Sequence, residues 1–413
     1  MKKNYTFGET FVGAGGAHLG FKNKGFKSVY ALDINESSVK TLVQNNPELS
    51  NSVVELGDIL EADGTEILKK TNLKPGEMDV FFGGIVCKGF SLAGERSPND
   101  ERNFFYHKQL DLVSVIRPKI SIIENVKGIL NAQVLSPKSP KSIRELVDTT
   151  WQNLENYKGQ KAALRKNGRL TEEFLVRGQM LKFEKDSVLQ HLKSDGHLIS
   201  VMDDIFEIYR TIGYTAKYKV LNSADYGSAT KRERVIIVAC RDDLNLDFVF
   251  PNPTHGPKSN HGIGGLLPYV TVNDALSSID EKRIDKDNNP MNHSKQTVDR
   301  FKYVPPGLNI VDVMDQLPEH LKISSFYSRG NTMRLDPNKP SPTLVPGHSN
   351  FPIHPKEHRS ITVREAATIT GFPNDFVFYG SHTKRCELVG NAVPIKLAEA
   401  IATQCKVALD KLL

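Results

Sequence analysis

The chain has 413 residues, 39% hydrophobic and 25% charged, with a formal net charge of +6. That leaves room for one large domain, a smaller one and a sizeable core, and no apolar run approaches the roughly eighteen residues of a membrane span. Four scattered cysteines (Cys87, Cys240, Cys386, Cys405) lack CxxC spacing. This argues against a disulfide framework or a zinc site and fits a reducing cytoplasm. The mild positive charge permits nucleic acid as a partner without demanding it. Met1 to Tyr5 lead almost at once into a strand, so no secretory leader is expected.

Thr6 to Phe11 reads as a short strand, which Val12-Gly13-Ala14-Gly15-Gly16 turns into a helix. Glycines 13, 15 and 16 remove side chains where a ligand could lie against backbone, and the helix start offers N–H groups and a positive dipole end. The spacing is not the GxGxxG of a dinucleotide turn, because the third glycine directly follows the second. Ser28 to Leu32 is a second strand ending in Asp33, and Val53 to Leu56 a third ending in Gly57-Asp58-Ile59. An acid at the end of the second strand is where this topology hydrogen-bonds a ribose hydroxyl pair. The alternative for Asp33 is to cap the helix from Glu36 to Gln44. Repeated βα units with polar carboxyl ends predict a nucleoside-binding crevice.

Met78 to Phe82 is an apolar run of buried-strand length, broken by Gly83-Gly84 and followed by Ile85-Val86-Cys87-Lys88. A thiol at a strand end beside a cation is a candidate nucleophile, since positive charge favours the reactive thiolate; otherwise Cys87 is a small buried hydrophobe. Lys119 to Ile123 predicts a central parallel strand, ending in Glu124-Asn125-Val126. A carboxylate there could pair with a ring nitrogen and an amino group, or pair with an arginine while Asn125 caps a helix.

From about Ala132 to Leu198 a linker-like stretch gives way to charged, helix-period segments, Ile143 to Leu154 and Leu170 to Phe183. This reads as a helical insertion whose Lys and Arg form a solvated face or a phosphate contact. The core resumes with a helix from Val201 to Ile212, a strand from Thr215 to Leu221 and a last strand from Val235 to Ala239. Arg232 and Arg234 precede that strand on one side of an extended segment. Residues 251–355, rich in Pro, Gly, Asn, Ser and His, predict a second, irregular domain with recognition loops. A helix from Arg359 to Thr370 and a terminal helix after Gly390-Asn391-Ala392-Val393-Pro394 complete the chain.

In this order, these segments resemble the motifs of the C5-cytosine DNA methyltransferases. The carriers are Phe11 to Gly16, Cys87, Glu124-Asn125-Val126, Arg232-Glu233-Arg234, Arg364-Glu365-Ala366-Ala367 before Gly371-Phe372-Pro373, and Gly390 to Pro394. The resemblance runs from residue 6 to about 239 and from 359 to the end. It implies an α/β fold, a Rossmann-like doubly wound sheet of the class I methyltransferase type, with a second, smaller irregular target-recognition domain. The catalytic domain would span 1–250 with its insertion at about 132–198, target recognition 251–355, and a completing segment 356–413.

The resemblance further implies S-adenosyl-L-methionine as cofactor, lying over Phe11, Gly13, Gly15 and Gly16. Its ribose would lie near Asp33 or Glu36 and its adenine near Asp58 and Ile59, with Ile34 also in contact and Asn391 and Val393 closing the site. A cytosine of double-stranded DNA would leave the helix to meet Cys87, whose thiolate adds to carbon 6. Glu124 would hold ring nitrogen 3 and the amino group, and Arg234 the carbonyl oxygen. Arg232, Ser91 and Arg102 would hold nearby phosphates, and Lys88 a phosphate or the gap left by the base. A cytoplasmic monomer, with no metal and working beside a cognate restriction endonuclease, is expected.

The family usually has two prolines before the cysteine and a glutamine after it; here Ile85, Val86 and Lys88 stand instead, which should loosen that loop. Ala229 and Thr230 replace a common proline and glutamine. With the cysteine, the Glu124 motif and both arginines intact, an active enzyme is expected. The rivals are a tRNA methyltransferase on the same fold, an inactive DNA-binding relative and a nucleotide-dependent oxidoreductase, the last disfavoured by the glycine spacing.

Overall fold

A computed structural model describes residues 4–49, 53–85, 97–257, 265–280, 282–323, 332–347 and 350–412. In chain order the strands are β1 (Thr6–Thr10), β2 (Lys27–Asp33), β3 (Val54–Leu56), β4 (Val80–Gly83), β5 (Ile120–Asn125), β6 (Gln133–Leu135), β7 (Leu198–Ser200), β8 (Tyr214–Asn222) and β9 (Glu233–Arg241), then the short β10 (His255–Gly256) and β11 (Leu267–Pro268). The helices are α1 (Gly16–Asn23), α2 (Glu36–Asn45), α3 (Gly64–Thr71), α4 (Phe105–Ile116), α5 (Lys141–Lys166), α6 (Glu172–Ser194), α7 (Val201–Thr211), α8 (Val272–Leu276), α9 (Lys295–Lys302), α10 (Val363–Thr370), α11 (His382–Asn391) and α12 (Ile395–Asp410).

Seven strands make the main sheet, in the order β3-β2-β1-β4-β5-β9-β8. β1 pairs in parallel with both β2 and β4, and β8 pairs antiparallel with β9. The winding reverses between β1 and β4, the switch point where open α/β sheets bind ligands at their carboxyl ends. Central strands are buried on both faces, hence the apolar Val80-Phe81-Phe82 and the run Ile120 to Ile123, broken only by the buried Ser121. One cluster joins Phe7, Val80, Ile120 and Ile236 to Leu397, Ile401, Cys405 and Leu409, so α12 returns to complete the sheet's core. Gly20 is needed there, because a Cβ on it would lie 2.4 Å from the Ala398 Cβ where α1 meets α12.

The stretch 251–355 contributes to two cores. Val272, Ala275, Leu335, Leu344 and Phe351 share a cluster with Ile361, Ala366, Phe372 and Val389. Phe301, Val304, Ile310, Val313, Leu317, Leu321 and Ile353 make a smaller one of their own. By contacts, residues 1–84, 112–124 and 214–413 form one compact unit and 85–111 with 125–213 another. In the second unit, β6 and β7 pair antiparallel at the root of a hairpin of α5 and α6, packed around Leu135, Val147, Trp151, Val188 and Leu192.

Several sequence expectations shift in extent. The two inserted helices run to Lys166 and Ser194, well past the apolar-periodic pieces that announce them. The helix expected from Arg359 starts at Val363, because Thr362 and Glu365 form a reciprocal capping box that fixes its first turn. Helix α11, which the periodicity does not reveal, is capped by Ser381 and ends at Asn391.

Candidate active site

The turn after β1 is held in left-handed backbone. Phe11 has φ 56°, Gly13 φ 57° and Gly15 φ 80°. For an aromatic residue such a φ is a strained state, of the kind that clusters at ligand sites. The three glycines differ in what they leave room for. A Cβ on Gly13 would meet nothing within 4 Å, a Cβ on Gly15 would press Leu42 at 2.9 Å, and a Cβ on Gly16 would lie 2.2 Å from the Val393 carbonyl oxygen. Gly13 therefore borders open space, whereas Gly16 lets the segment after α11 touch the start of α1. Val393 is thus brought onto the glycine turn, with Asn391 exposed two residues before it.

Asp33 at the end of β2 accepts the Gly13 amide at 2.8 Å and the Asn35 amide at 2.8 Å. Burial holds its carboxyl above the ordinary range, and those amide hydrogen bonds oppose the shift. It does not cap α2; Asn35 does, accepting from Ser37. Glu36 is exposed and pairs with Lys40 at 2.7 Å. Asp58 caps a 3-10 turn by accepting from Leu60 at 3.0 Å, and Ile59 is buried. Ile34, Leu56 and Leu60 are exposed apolar side chains around these carboxyl ends. An open glycine, two acids and exposed apolar faces fit an adenosyl group.

Farther along the sheet, β5 and β9 are neighbours, and they bring Glu124 and Arg234 together. Arg234 Nε donates to Glu124 Oε1 at 2.7 Å, with both residues 8% exposed. Arg232, expected on a phosphate, is 5% exposed, and its Nη1 donates to the carbonyls of Gly390 at 2.8 Å and Leu344 at 3.3 Å. It ties the block around Leu344 to the end of α11. Asn125 does not cap a helix in the expected way: its Oδ1 accepts the next amide, Val126 N, at 2.9 Å, and its Nδ2 donates to Ile85 O at 3.3 Å. Cys87, Lys88, Ser91 and the Arg102 side chain lie outside the described residues.

One buried pair escaped the sequence reading. Glu9 in β1 and His18 in α1 are both about 2% exposed at the side chain, with Oε2 and Nδ1 4.0 Å apart. The signal was an acid within a buried strand pattern, Thr6-Phe7-Gly8-Glu9-Thr10. Arg334 gave no signal: its guanidinium donates to the carbonyls of Phe301, Val304, His354 and Glu357 from inside the fold.

Strand order, switch point, glycine turn and acids at the carboxyl ends define a Rossmann-like sheet of the class I methyltransferase type. Within that class, the chain belongs to the C-5 cytosine-specific DNA methylase family, whose family model matches residues 5–150 and 188–407. It is a DNA cytosine-5 methyltransferase, and the tRNA and oxidoreductase readings fall away. It is 27% identical over 400 residues to the Type II methyltransferase M.NgoFVII of Neisseria gonorrhoeae, covering 95% of this chain and 84% of the relative. It is 28% identical over 437 residues to the Type II methyltransferase M.MthTI of Methanothermobacter thermautotrophicus, covering 99% of each.

In fold it is similar to a protein described as a DNA modification methyltransferase encoded within an E. coli prophage, with TM-score 0.65 and 20% identity over 98% of this chain and 100% of that one. S. pombe Dnmt2 methyltransferase is a more distant likeness, with TM-score 0.56 and 12% identity over 98% of this chain and 100% of that one. Among the described residues no helix is long and apolar enough to cross a membrane.

Proposed function

We propose that the protein methylates carbon 5 of cytosine within one specific duplex DNA sequence, with Cys87 as nucleophile and S-adenosylmethionine as donor. The observation that carries this reading is the Glu124–Arg234 pair at 2.7 Å. Cytosine presents, in sequence, an acceptor oxygen, an acceptor ring nitrogen and a donor amino group. An arginine N–H serves the oxygen, while a carboxyl group serves ring nitrogen and amino group together. A thymine or uracil would set its second carbonyl oxygen against the carboxyl where cytosine offers a donor.

When bound, S-adenosylmethionine supplies an electrophilic methyl group on a sulfonium. Gly13 gives it backbone to lie on, Asp33 the carboxylate for its ribose, and Ile34 with Asp58 and Ile59 the surroundings of its adenine. The Cys87 thiolate adds to carbon 6, Glu124 neutralises charge developing in the ring, and carbon 5 becomes the nucleophile that accepts the methyl group. Loss of the carbon 5 proton then expels the thiolate. We assign Arg232 to positioning, through the Leu344 and Gly390 carbonyls, and leave phosphate contacts to Lys88, Ser91 and Arg102.

The Type II names of the relatives support a modification enzyme paired with a restriction endonuclease; that it works in the cytoplasm as a monomer is part of the same proposal. Target recognition is assigned to 251–355, with residues 282–323 as the part that varies with the site. The flanking pieces are shared with the core around Ile361. Exchanging 282–323 with a relative's block should change the methylated sequence; an unchanged site would move readout elsewhere.

The primary test is covalent capture. Duplex DNA carrying fluorine at carbon 5 of the target cytosine should trap the protein in the presence of S-adenosylmethionine, because fluorine cannot leave as a proton. Cys87→Ser should abolish capture and turnover. Turnover surviving in that variant would overturn the assignment. Bisulfite sequencing of DNA from expressing cells would read the site.

A further inference from the structure

Between Tyr157 and Val188 no residue is buried, although α5 continues to Lys166 and α6 begins at Glu172. The hairpin's packed end lies around Trp151 and Leu192, and its last ring stack, Tyr157 on Phe174 at 4.7 Å, marks where packing thins. Two helical ends thus project without a core of their own. The family match stops at residue 150 and resumes at 188, so this projection lies outside the matched residues. Ordering such a segment costs conformational entropy that its own burial does not offset.

Its chemistry is concentrated. From Glu155 to Glu173 the chain has Lys158, Lys161, Arg165, Lys166 and Arg169 against Glu155, Glu172 and Glu173, and all five cations are exposed. Positions 158, 161 and 165 recur at i, i+3 and i+7, which sets them on one face of α5 over about 10 Å. That is the span of roughly three phosphates along one strand of a duplex. The surplus of positive charge on this segment complements a polyanion, and the substrate of this family is one.

We infer that the distal α5–α6 hairpin is a second DNA-binding surface, holding backbone phosphates outside the methylated sequence. The contact is non-directional and carries no sequence information; it adds affinity and residence on long DNA. The competing use is a protein partner on the exposed apolar stripe of α6, Val176, Met180 and Phe183.

The test uses the full chain and a Lys158→Gln, Lys161→Gln, Arg165→Gln triple variant, whose sites are exposed and outside the catalytic machinery. Binding is measured across a salt series on two duplexes, one trimmed to the methylated sequence and one extended by two helical turns on each side. On the extended duplex the variant should bind roughly tenfold more weakly, with a salt slope lower by about two to three. On the trimmed duplex binding and turnover should match wild type. Equal loss on both duplexes, or no loss on either, overturns the inference. So does intact DNA binding together with a self-association that Met180→Asp and Phe183→Asp abolish, since that would assign the arm to protein contact.

Discussion

The sheet unit and the α5–α6 hairpin use charge in opposite ways. In the sheet unit it is buried and directed. Glu124 meets Arg234, Arg364 reaches Asp285 and the carbonyls of Pro373 and Phe376, and Arg334 gathers four carbonyls from separate loops. In the hairpin it is exposed and, towards the tip, mostly positive. Buried hydrogen bonds demand defined distances and angles, so they fix where a reacting group stands. Exposed charges act over about 10 Å at moderate salt and tolerate any geometry, so they can hold a polyanion but cannot shape a site. If this division holds, substitutions in the two regions should differ in kind as well as in size.

The largest effects should come from the buried pair. Glu124→Ala leaves the Arg234 guanidinium without its carboxylate, which should cost about 3–5 kcal/mol of stability and abolish turnover. Glu124→Gln keeps the shape and an acceptor for Arg234, so it should fold nearly normally yet lose about a hundredfold or more in turnover. Denaturant unfolding beside single-turnover methylation separates the two; a Glu124→Gln enzyme with wild-type rates would remove Glu124 from the chemistry. By contrast, single Gln substitutions at Lys161 or Arg165 should move stability by less than about 0.5 kcal/mol. Arg334→Met comes next, at about 3 kcal/mol, because several buried carbonyls lose their donor together. Wild-type stability in that variant would mean the loops it gathers are held by other contacts.

The glycine turn offers a finer comparison. Gly16→Ala should cost about 2 kcal/mol, since its Cβ would strike the Val393 carbonyl, a backbone atom that cannot turn aside. Gly13→Ala meets open space and pays only for its left-handed backbone, about 1 kcal/mol. Its methyl group would, however, stand where the donor is proposed to lie. Calorimetric binding of S-adenosylmethionine should therefore weaken more for Gly13→Ala than the small stability loss suggests. Unchanged affinity would mean that the space above Gly13 is not the donor site.

Much of this was legible in the sequence because the sheet's strands are short, apolar and punctuated. Val80 to Phe82 ends at glycines, and Ile120 to Ile123 ends at Glu124, so both the strand and the group at its edge can be read from one line of residues. What stayed hidden depends on partners distant in the chain. For Arg232, extended spacing shows which side the residue takes but not that the Gly390 and Leu344 carbonyls accept from it. The stretch 251–355 looks uniform in composition, yet Val272 and Leu335 join one core and Phe301 and Ile310 another. Helix α11 was missed because its apolar positions, Cys386, Leu388 and Val389, bury against the shared core without a regular stripe.

The last expected effect concerns Glu9 and His18 and is a slope in pH. Burial and the nearby Asp33 push the Glu9 carboxyl well above its ordinary value of 4.5, while burial and Lys22 push His18 from 6.5 down to about 4, partly opposed by Glu48. At 4.0 Å they stand beyond hydrogen-bond length, and each is held neutral. Between pH 4.5 and 6.5 the unfolded chain has released the Glu9 proton but taken one up on His18, so the two contributions cancel. Above pH 6.5 only Glu9 remains: the folded state keeps a proton that the unfolded chain gives up. Stability from this pair then falls as pH rises, by about 1.4 kcal/mol per unit, until Glu9 itself ionises in the folded protein. Glu9→Gln should remove that alkaline fall. It should also expose the His18 contribution alone, so that the variant gains stability as pH rises from about 4 to 6.5. Urea unfolding of both proteins from acid to mildly alkaline pH makes the comparison. If their profiles run parallel, burial does not hold Glu9 neutral in the folded state.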